Sequence, residues 1–259
     1  MKKVILLFLV LALSGNWAFA QEENNIKNFR FGLKATGMLS WMKPEDKKKF
    51  SSGGVSAKGG YGLIMEFRLN KVASISTGFQ VDYFGGKLNF NDTSMYYLSK
   101  DSELQSREDT SSTSVLYQLK NRTYNTTYIT LPFTLKLKTP EIGALTYFGM
   151  FGINTSVRMK SRADDEVRSV QTNGSGQQSD LLNTKDMNLL MFALNIGGGA
   201  EWNLAGSTSM VFGLNFYNGF SSVVKSESRY LFRTSANNYE SLKQSARNSA
   251  FALSVGVLF

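Results

Sequence analysis

Large apolar residues recur at every second position in eight segments of this 259-residue chain, and no other feature of the sequence constrains the fold as strongly. Side chains alternate between the two faces of a β-strand, so a period of two predicts strands with one apolar face. The segment YITLPFTLKLK at 128–138 is the cleanest case, because its odd-numbered positions are all Ile, Leu or Phe. The other segments lie at 29–41, 61–70, 72–84, 145–157, 189–202, 209–218 and 249–259.

The opposite face of these segments consists mostly of Gly, Ala, Ser, Thr and Asn. A sheet face in bulk water normally collects Lys and Glu, whereas small residues fit the interior of a narrow closed barrel. An apolar face with almost no charge over about ten residues per strand suits contact with lipid. The sequence therefore predicts an all-β fold, an eight-stranded antiparallel up-and-down transmembrane β-barrel. A water-soluble sandwich or lipocalin-like barrel is the alternative, since its strands also alternate.

The connections between the segments alternate between short and long. Short links lie at 70–72, 139–143 and 203–207, and long polar links lie near 42–58, 85–123, 158–187 and 218–248. Outer-membrane barrels have short periplasmic turns and long extracellular loops. The connection lengths therefore favour the membrane barrel over the soluble alternative, and they predict that both termini lie on the periplasmic side.

The first twenty residues have the layout of a cleavable secretory signal peptide. Two lysines precede an apolar run over 4–13, and the segment closes on the small residues Ala18 and Ala20. This run is too short to span a bilayer as a helix. We therefore expect a signal peptide at 1–20, a barrel domain at 21–259, and export to the cell outer membrane.

The composition of the chain removes the usual means of catalysis and metal binding. There is no Cys, which excludes disulfides and thiolate sites, and no His, the usual general base and the commonest zinc ligand. We expect no catalytic, cofactor or metal site and no enzymatic activity. An enzyme of this composition would depend on carboxylates, and Asp164 and Asp165 in the loop segment ADDEV are the pair to test.

Six charged residues fall on the small-residue face of the strands and so inside the predicted barrel. They are Arg30, Lys34, Glu66, Arg68, Asp82 and Lys136. Eight strands leave room for side chains and little else, so these residues predict an internal ion-pair network rather than an ion path. The same strand count argues against a pore, because water-filled channels need more strands.

The last long link, 218–248, interleaves aromatic with basic side chains. Its candidate contact residues are Arg229, Tyr230, Phe232, Arg233 and Tyr239. Bases can stack on such a segment, but a protein outside the cell has little reason to bind nucleic acid, and we expect no such partner. The expected contacts are outer-membrane lipid and lipopolysaccharide, a surface glycan, or a protein of the envelope.

Four stretches of the sequence resemble the PorT-like family of eight-stranded outer-membrane barrels of Bacteroidetes-type Gram-negative bacteria. They are the opening FRFGLKATG, YITLPFTLKLKT followed after a short link by LTYFGMFG, and the terminal SVGVLF, and the signal peptide shares in the resemblance. In barrels of this kind, a last strand that ends on an aromatic residue is similar to the signal read by the barrel assembly machinery. The resemblance implies that role for Phe259, together with Phe251, Val255 and Val257.

The function expected from these observations is that of a non-enzymatic outer-membrane barrel. It would bind a partner or a surface, or serve as an accessory component of the envelope, and the family resemblance alone links it to secretion. One alternative is an outer-membrane enzyme that acts on lipid or peptide. The other is a soluble secreted lipocalin-like protein that binds a small ligand.

Overall fold

The computed structural model describes residues 28–235 and 238–259, and its antiparallel sheet closes into a ring of eight strands. The ring consists of β1 (Phe29–Pro44), β3 (Val55–Arg68), β4 (Ala73–Leu98), β6 (Val115–Lys138), β7 (Leu145–Ser169), β9 (Leu190–Ala205), β10 (Thr208–Gly219) and β13 (Ala246–Leu258). Each ring strand pairs with the next along the chain, and β13 pairs back with β1. The predicted all-β up-and-down barrel topology is confirmed, and the expected signal peptide at 1–20 lies outside the described residues.

Five further strands and two 3-10 turns lie at the end of the ring that carries the long links. The strands are β2 (Phe50–Ser52), β5 (Leu104–Gln105), β8 (Ser175–Leu182), β11 (Glu227–Ser235) and β12 (Asn238–Lys243), and the turns are Arg107–Asp109 and Thr184–Asp186. We call residues 43–58, 85–123, 158–187 and 218–248 the head. Residues 236 and 237 are not described.

The head differs from the loops that the sequence predicts, because much of 85–123 and 158–187 continues the strands β4, β6 and β7. Those three strands are 26, 24 and 25 residues long. Beyond the expected strand ends the inward positions are still apolar, with Leu88, Leu119 and Val167 buried. A strand continues as long as its inward face has a core to pack on. The outward face of these segments is polar, so their overall composition predicts loops although their inward residues are apolar.

Outward side chains of the ring form an apolar band. Phe31, Leu63, Phe133, Leu214 and Leu253 are each about half exposed or more. So much exposed apolar surface, continuous around a ring, is unusual for a protein in water and is what contact with lipid requires. Within the described part of the chain, no helix has the length and hydropathy needed to cross a membrane.

One irregularity in the ring changes which residues face outward. The register between β6 and β7 shifts between Thr127 and Tyr128, where Thr127 pairs with Lys160 and Ile129 pairs with Val157. In β7, the odd-numbered residues face outward over 145–157, whereas the even-numbered residues face outward over 160–168. A β-bulge of this kind adds one residue to one strand, so an alternation read along the sequence is wrong beyond it.

Candidate functional site

Five charged side chains meet inside the barrel near the end with the short turns. Glu66 and Glu201 are the acids, and both contact Arg30, Lys136 and Lys138. The Arg30 Nη2 atom lies 3.0 Å from Glu66 Oε1 and 2.8 Å from Glu201 Oε2. All five side chains are at most 9% exposed. A buried charge without a partner costs several kcal/mol, so reciprocal pairing is what allows these charges to occupy the lumen.

The six residues expected inside the barrel divide into two sets. Arg30, Glu66 and Lys136 belong to this cluster, and Lys34, Arg68 and Asp82 form no ion pair within 4 Å among the residues described. The sequence reasoning missed Lys138 and Glu201, although a signal was available for both. Lys138 lies two positions after Lys136, and Glu201 follows Gly197 and Gly199 on the inward side of β9.

A small apolar group lies beside the charged cluster. Ile64, Phe148, Val211 and Leu258 are buried together, and the Lys136 Nζ atom lies 4.1 Å from the centroid of the Phe148 ring. Ile64 and Phe148 interrupt the alternation of their segments because they face inward. Side chains therefore occupy this end of the lumen.

The other end of the lumen is filled by an apolar core that continues into the head. Met38, Tyr128 and Tyr217 belong to the barrel part of this core, and Tyr96 and Leu119 belong to the head part. Each of them is at most 3% exposed. The head is therefore a packed extension of the barrel rather than a set of separate loops.

An ion pair lies within the head core. The Nε and Nη2 atoms of Arg122 donate to the two carboxylate oxygens of Asp165, each at 2.7 Å. Burial alone would lower the pKa of the Arg122 guanidinium, but the Asp165 charge outweighs burial and raises that pKa above its ordinary value. Asp164 faces the opposite side of β7, where it accepts a hydrogen bond from Asn125 at 2.9 Å. The two neighbouring acids therefore do not form a carboxylate pair at one site.

A cleft of about 600 Å³ opens on the head between the 106–108 turn and the β11–β12 ribbon. The Arg107 guanidinium lies 4.0 Å from the centroid of the Tyr239 ring. Phe232 stacks on Tyr97 with ring centroids 5.4 Å apart, and it meets the Tyr239 ring edge-on at 5.7 Å. This aromatic stack holds Arg107 and Tyr239 at the opening of the cleft.

Four of the five candidate contact residues line this cleft, and they differ in exposure. Arg229 and Tyr239 are exposed, whereas Tyr230 and Phe232 are buried and support the cleft from below. Burial raises the pKa of the Tyr230 phenol, and the nearby charge of Asp186 adds to this effect. Arg233 instead lines a separate cavity of about 420 Å³, on the same ribbon.

The Thr184–Asp186 turn fixes the start of β11 and therefore the position of Arg229. The backbone N–H of Arg229 donates to Asp186 Oδ1 at 2.7 Å, and the Ser228 hydroxyl donates to Asp186 Oδ2. The Asn188 amide donates to the carbonyls of Ser222 and Val224, each at 2.9 Å. These bonds satisfy the backbone of a segment that leaves the sheet. The described residues include no group of three acids that could hold a metal ion.

Three residues of the expected assembly signal, Phe251, Val255 and Val257, lie on β13, the strand that closes the ring, and Phe259 directly follows it. Phe251, Val255 and Phe259 are 53%, 42% and 41% exposed on the outer face, and Val257 is partly exposed. The Phe259 ring lies 5.9 Å from that of Phe31, centroid to centroid. The terminal aromatic residue is therefore part of the apolar band.

The model of one protein family, outer membrane protein beta-barrel domains, matches residues 19–225. The chain belongs to this family. Family membership agrees with the closed ring and the apolar band, and it supports an outer-membrane location for the protein.

Several solved outer-membrane barrels are similar to this family member at low identity. The outer membrane protein OprG from Pseudomonas aeruginosa is 11% identical with a TM-score of 0.46, covering 92% of this chain and 99% of that one. Neisserial surface protein A is 9% identical with a TM-score of 0.40, covering 90% and 96%. The outer membrane protease OmpT from Escherichia coli is 9% identical with a TM-score of 0.35, covering 93% and 99%. No curated protein matches the chain.

Proposed function

We propose that this outer-membrane barrel is non-enzymatic and that its head binds an acidic partner at the outer surface of the envelope. The observation that carries the proposal is the packed head with an open cleft, above a lumen that side chains fill. A rigid site binds more tightly than a mobile one because less conformational entropy is lost on binding. The buried core and the Asp186 turn give the cleft that rigidity.

The charge of the head supports an acidic partner. Segments 43–58 and 218–248 each carry five basic and two acidic residues, whereas 85–123 and 158–187 each carry five of both. The two basic segments meet, since Lys43 pairs with Arg247 and the Glu45 N–H donates to the Ser245 carbonyl at 3.0 Å. The excess positive charge is therefore concentrated on one side of the head, which favours association with a negative surface.

Acidic surface glycans, lipopolysaccharide and acidic faces of envelope proteins all have the required charge. The resemblance to the PorT-like family extends the proposal to an accessory role in an envelope machine, including secretion. In this proposal the short turns lie in the periplasm and the barrel assembly machinery reads the terminal strand.

The binding test uses the full chain, purified in detergent, on dextran sulfate and on neutral dextran. We expect salt-sensitive retention on dextran sulfate alone, weakened about tenfold in an Arg107→Gln/Arg229→Gln double variant. The matched control is Lys100→Gln/Lys120→Gln, which removes two exposed charges of the head that do not line the cleft. Equal retention of both double variants, or retention on neutral dextran, would overturn the assignment of the cleft.

Two further measurements test the remaining parts of the proposal. In planar bilayers the purified barrel should give no discrete conductance steps, because its lumen is filled, and regular steps would refute this. Lipid and peptide profiles of outer membranes should be identical with and without the protein. A product that disappears with the Asp164→Asn/Asp165→Asn variant would identify an enzyme instead.

A further inference from the structure

A second cavity, separate from the head cleft, lies in the outer wall where the apolar band meets the head. It has a volume of about 300 Å³, and strands β3, β4, β6, β7 and β8 contribute to it. Its lining includes the bases Lys58, Lys160 and Arg162, the acids Asp164 and Asp180, and the uncharged Tyr83, Asn125 and Thr127. We call this cavity the lateral notch.

The lower edge of the lateral notch is continuous with the apolar band. Tyr83, Ile129 and Val157 are each about 40% exposed directly below it, on three neighbouring strands. Tyrosine is enriched where the apolar part of a bilayer meets its headgroups, because its ring is apolar and its hydroxyl is polar. The notch therefore lies at headgroup depth in the leaflet on the side of the head.

The register shift between β6 and β7 places positive charge in the notch. It brings Lys160 and Arg162 to the outer face, where the unshifted alternation would turn them inward. Lys58 reaches the same place from β3 across Gly85, where an added Cβ would lie 3.2 Å from Lys58 Cε. The same added Cβ would lie 1.9 Å from the Tyr124 carbonyl oxygen, so position 85 has no room for a side chain and the lysine passes close over the backbone there.

The acids of the notch accept hydrogen bonds or pair with Arg162, whereas Lys58 feels the charge of Asp164 without a carboxylate of the described residues within 4 Å. Asp164 accepts hydrogen bonds from the Asn125 amide and the Asp180 N–H, each at 2.9 Å, and Asp180 pairs with Arg162. The Lys58 ammonium donates to the Asn125 amide oxygen. Neither Lys58 nor Lys160 forms an ion pair with a carboxylate in the part of the chain that the structure describes. Two ammonium groups beside a Thr hydroxyl are suited to bind a phosphate.

We propose that the lateral notch binds the phosphate of a phosphorylated glycolipid in the leaflet that surrounds the head. Lys58 and Lys160 contact the phosphate, and Thr127 donates its hydroxyl. The acyl chains of the same lipid lie along Tyr83, Ile129 and Val157. Lipid is the source of the phosphate because the notch opens onto the lipid-facing band rather than onto the top of the head.

The test measures binding of diphosphorylated lipid A and of the same lipid without its phosphates to the detergent-purified full chain, by native mass spectrometry. We expect the wild type to prefer the phosphorylated lipid at least about tenfold, since basic residues at the membrane surface attract anionic lipid headgroups. A Lys58→Gln/Lys160→Gln variant should lose this preference, and Lys58→Arg/Lys160→Arg should keep most of it. The matched control Lys100→Gln/Lys120→Gln should bind as the wild type does.

Three results would overturn the proposal. The first is equal binding of the two lipids by the wild type, and the second is an equal loss in the Lys100→Gln/Lys120→Gln control. The third is competition by inorganic phosphate at the same concentration as the lipid, which would identify a site for free anions. A heat-modifiable gel band for every variant shows that the barrel is folded, so a loss of binding is not a loss of fold.

Discussion

Two neighbouring acids of β7, Asp165 and Glu166, allow a direct measurement of how much the buried ion pair contributes to the stability of the head. Asp165 is 2% exposed and pairs with the fully buried Arg122 through two hydrogen bonds of 2.7 Å. An Asp165→Asn substitution keeps the shape of the side chain and removes its charge. It leaves a buried guanidinium without a counter-charge, which costs about 3–5 kcal/mol.

Glu166→Gln is the matched control. Glu166 also forms an ion pair across the sheet, with its carboxylate 2.9 Å from Lys87 Nζ, but its side chain is 48% exposed. An exposed pair contributes little to stability because water screens it. The two substitutions therefore remove the same charge from adjacent positions on opposite faces of one strand.

Hydrogen exchange of backbone amides is the appropriate assay, because it measures opening of the head while the barrel stays folded. A loss of 3 kcal/mol corresponds to exchange roughly a hundredfold faster. We expect this acceleration in head amides of β6, β7 and β8 for Asp165→Asn, and almost none for Glu166→Gln. Exchange rates within a few-fold of each other in the two variants would refute the reasoning. An Arg122→Met/Asp165→Leu variant should restore slow exchange, because an apolar pair of similar size can replace a buried ion pair.

Two further predictions concern the segment before β11 and the end of the chain. Asp186→Ala leaves the Ser228 hydroxyl and the Arg229 N–H without their acceptor, which costs about 1–3 kcal/mol. Proteolytic cleavage within 222–229 should therefore be faster than in the wild type. A cleavage rate equal to that of the wild type would contradict the anchoring role of Asp186. Phe259→Ala should lower the amount of heat-modifiable protein in the outer membrane more than Phe31→Ala does, although both remove one ring from the same contact. Equal yields would mean that the terminal residue has no role in assembly.

The sequence predicts the ring strands well because lipid contact enforces alternation wherever the outer face is apolar. It fails for the head, where the outer face is polar and the inward apolar residues are spread among charged ones, as Leu119 is between Gln118 and Lys120. The pairing of Arg122 with Asp165 joins residues 43 positions apart, so no local spacing predicts it.

The lateral notch could not be predicted from the sequence, for a different reason. Lys160 and Arg162 reach the outer face only because one residue is added at the β6–β7 register shift, and nothing in the local sequence marks that residue. The head cleft could be predicted in part, since a segment that interleaves aromatic and basic residues indicates a contact surface. Which of its aromatic rings are buried depends on tertiary packing and could not be predicted.

The unequal lengths of the ring strands make the two sides of the barrel differ in how far they extend beyond the membrane. Strands β4, β6 and β7 have 24–26 residues, whereas β10 and β13 have 12 and 13. At about 3.3 Å per residue, a dozen extra residues add roughly 40 Å along a strand. Because β11 also pairs with β4, the protruding mass stands over one half of the circumference. A neighbouring membrane protein can therefore pack close to the barrel at the bilayer surface along β10 and β13. On the opposite side, the protruding strands β4, β6 and β7 block such an approach.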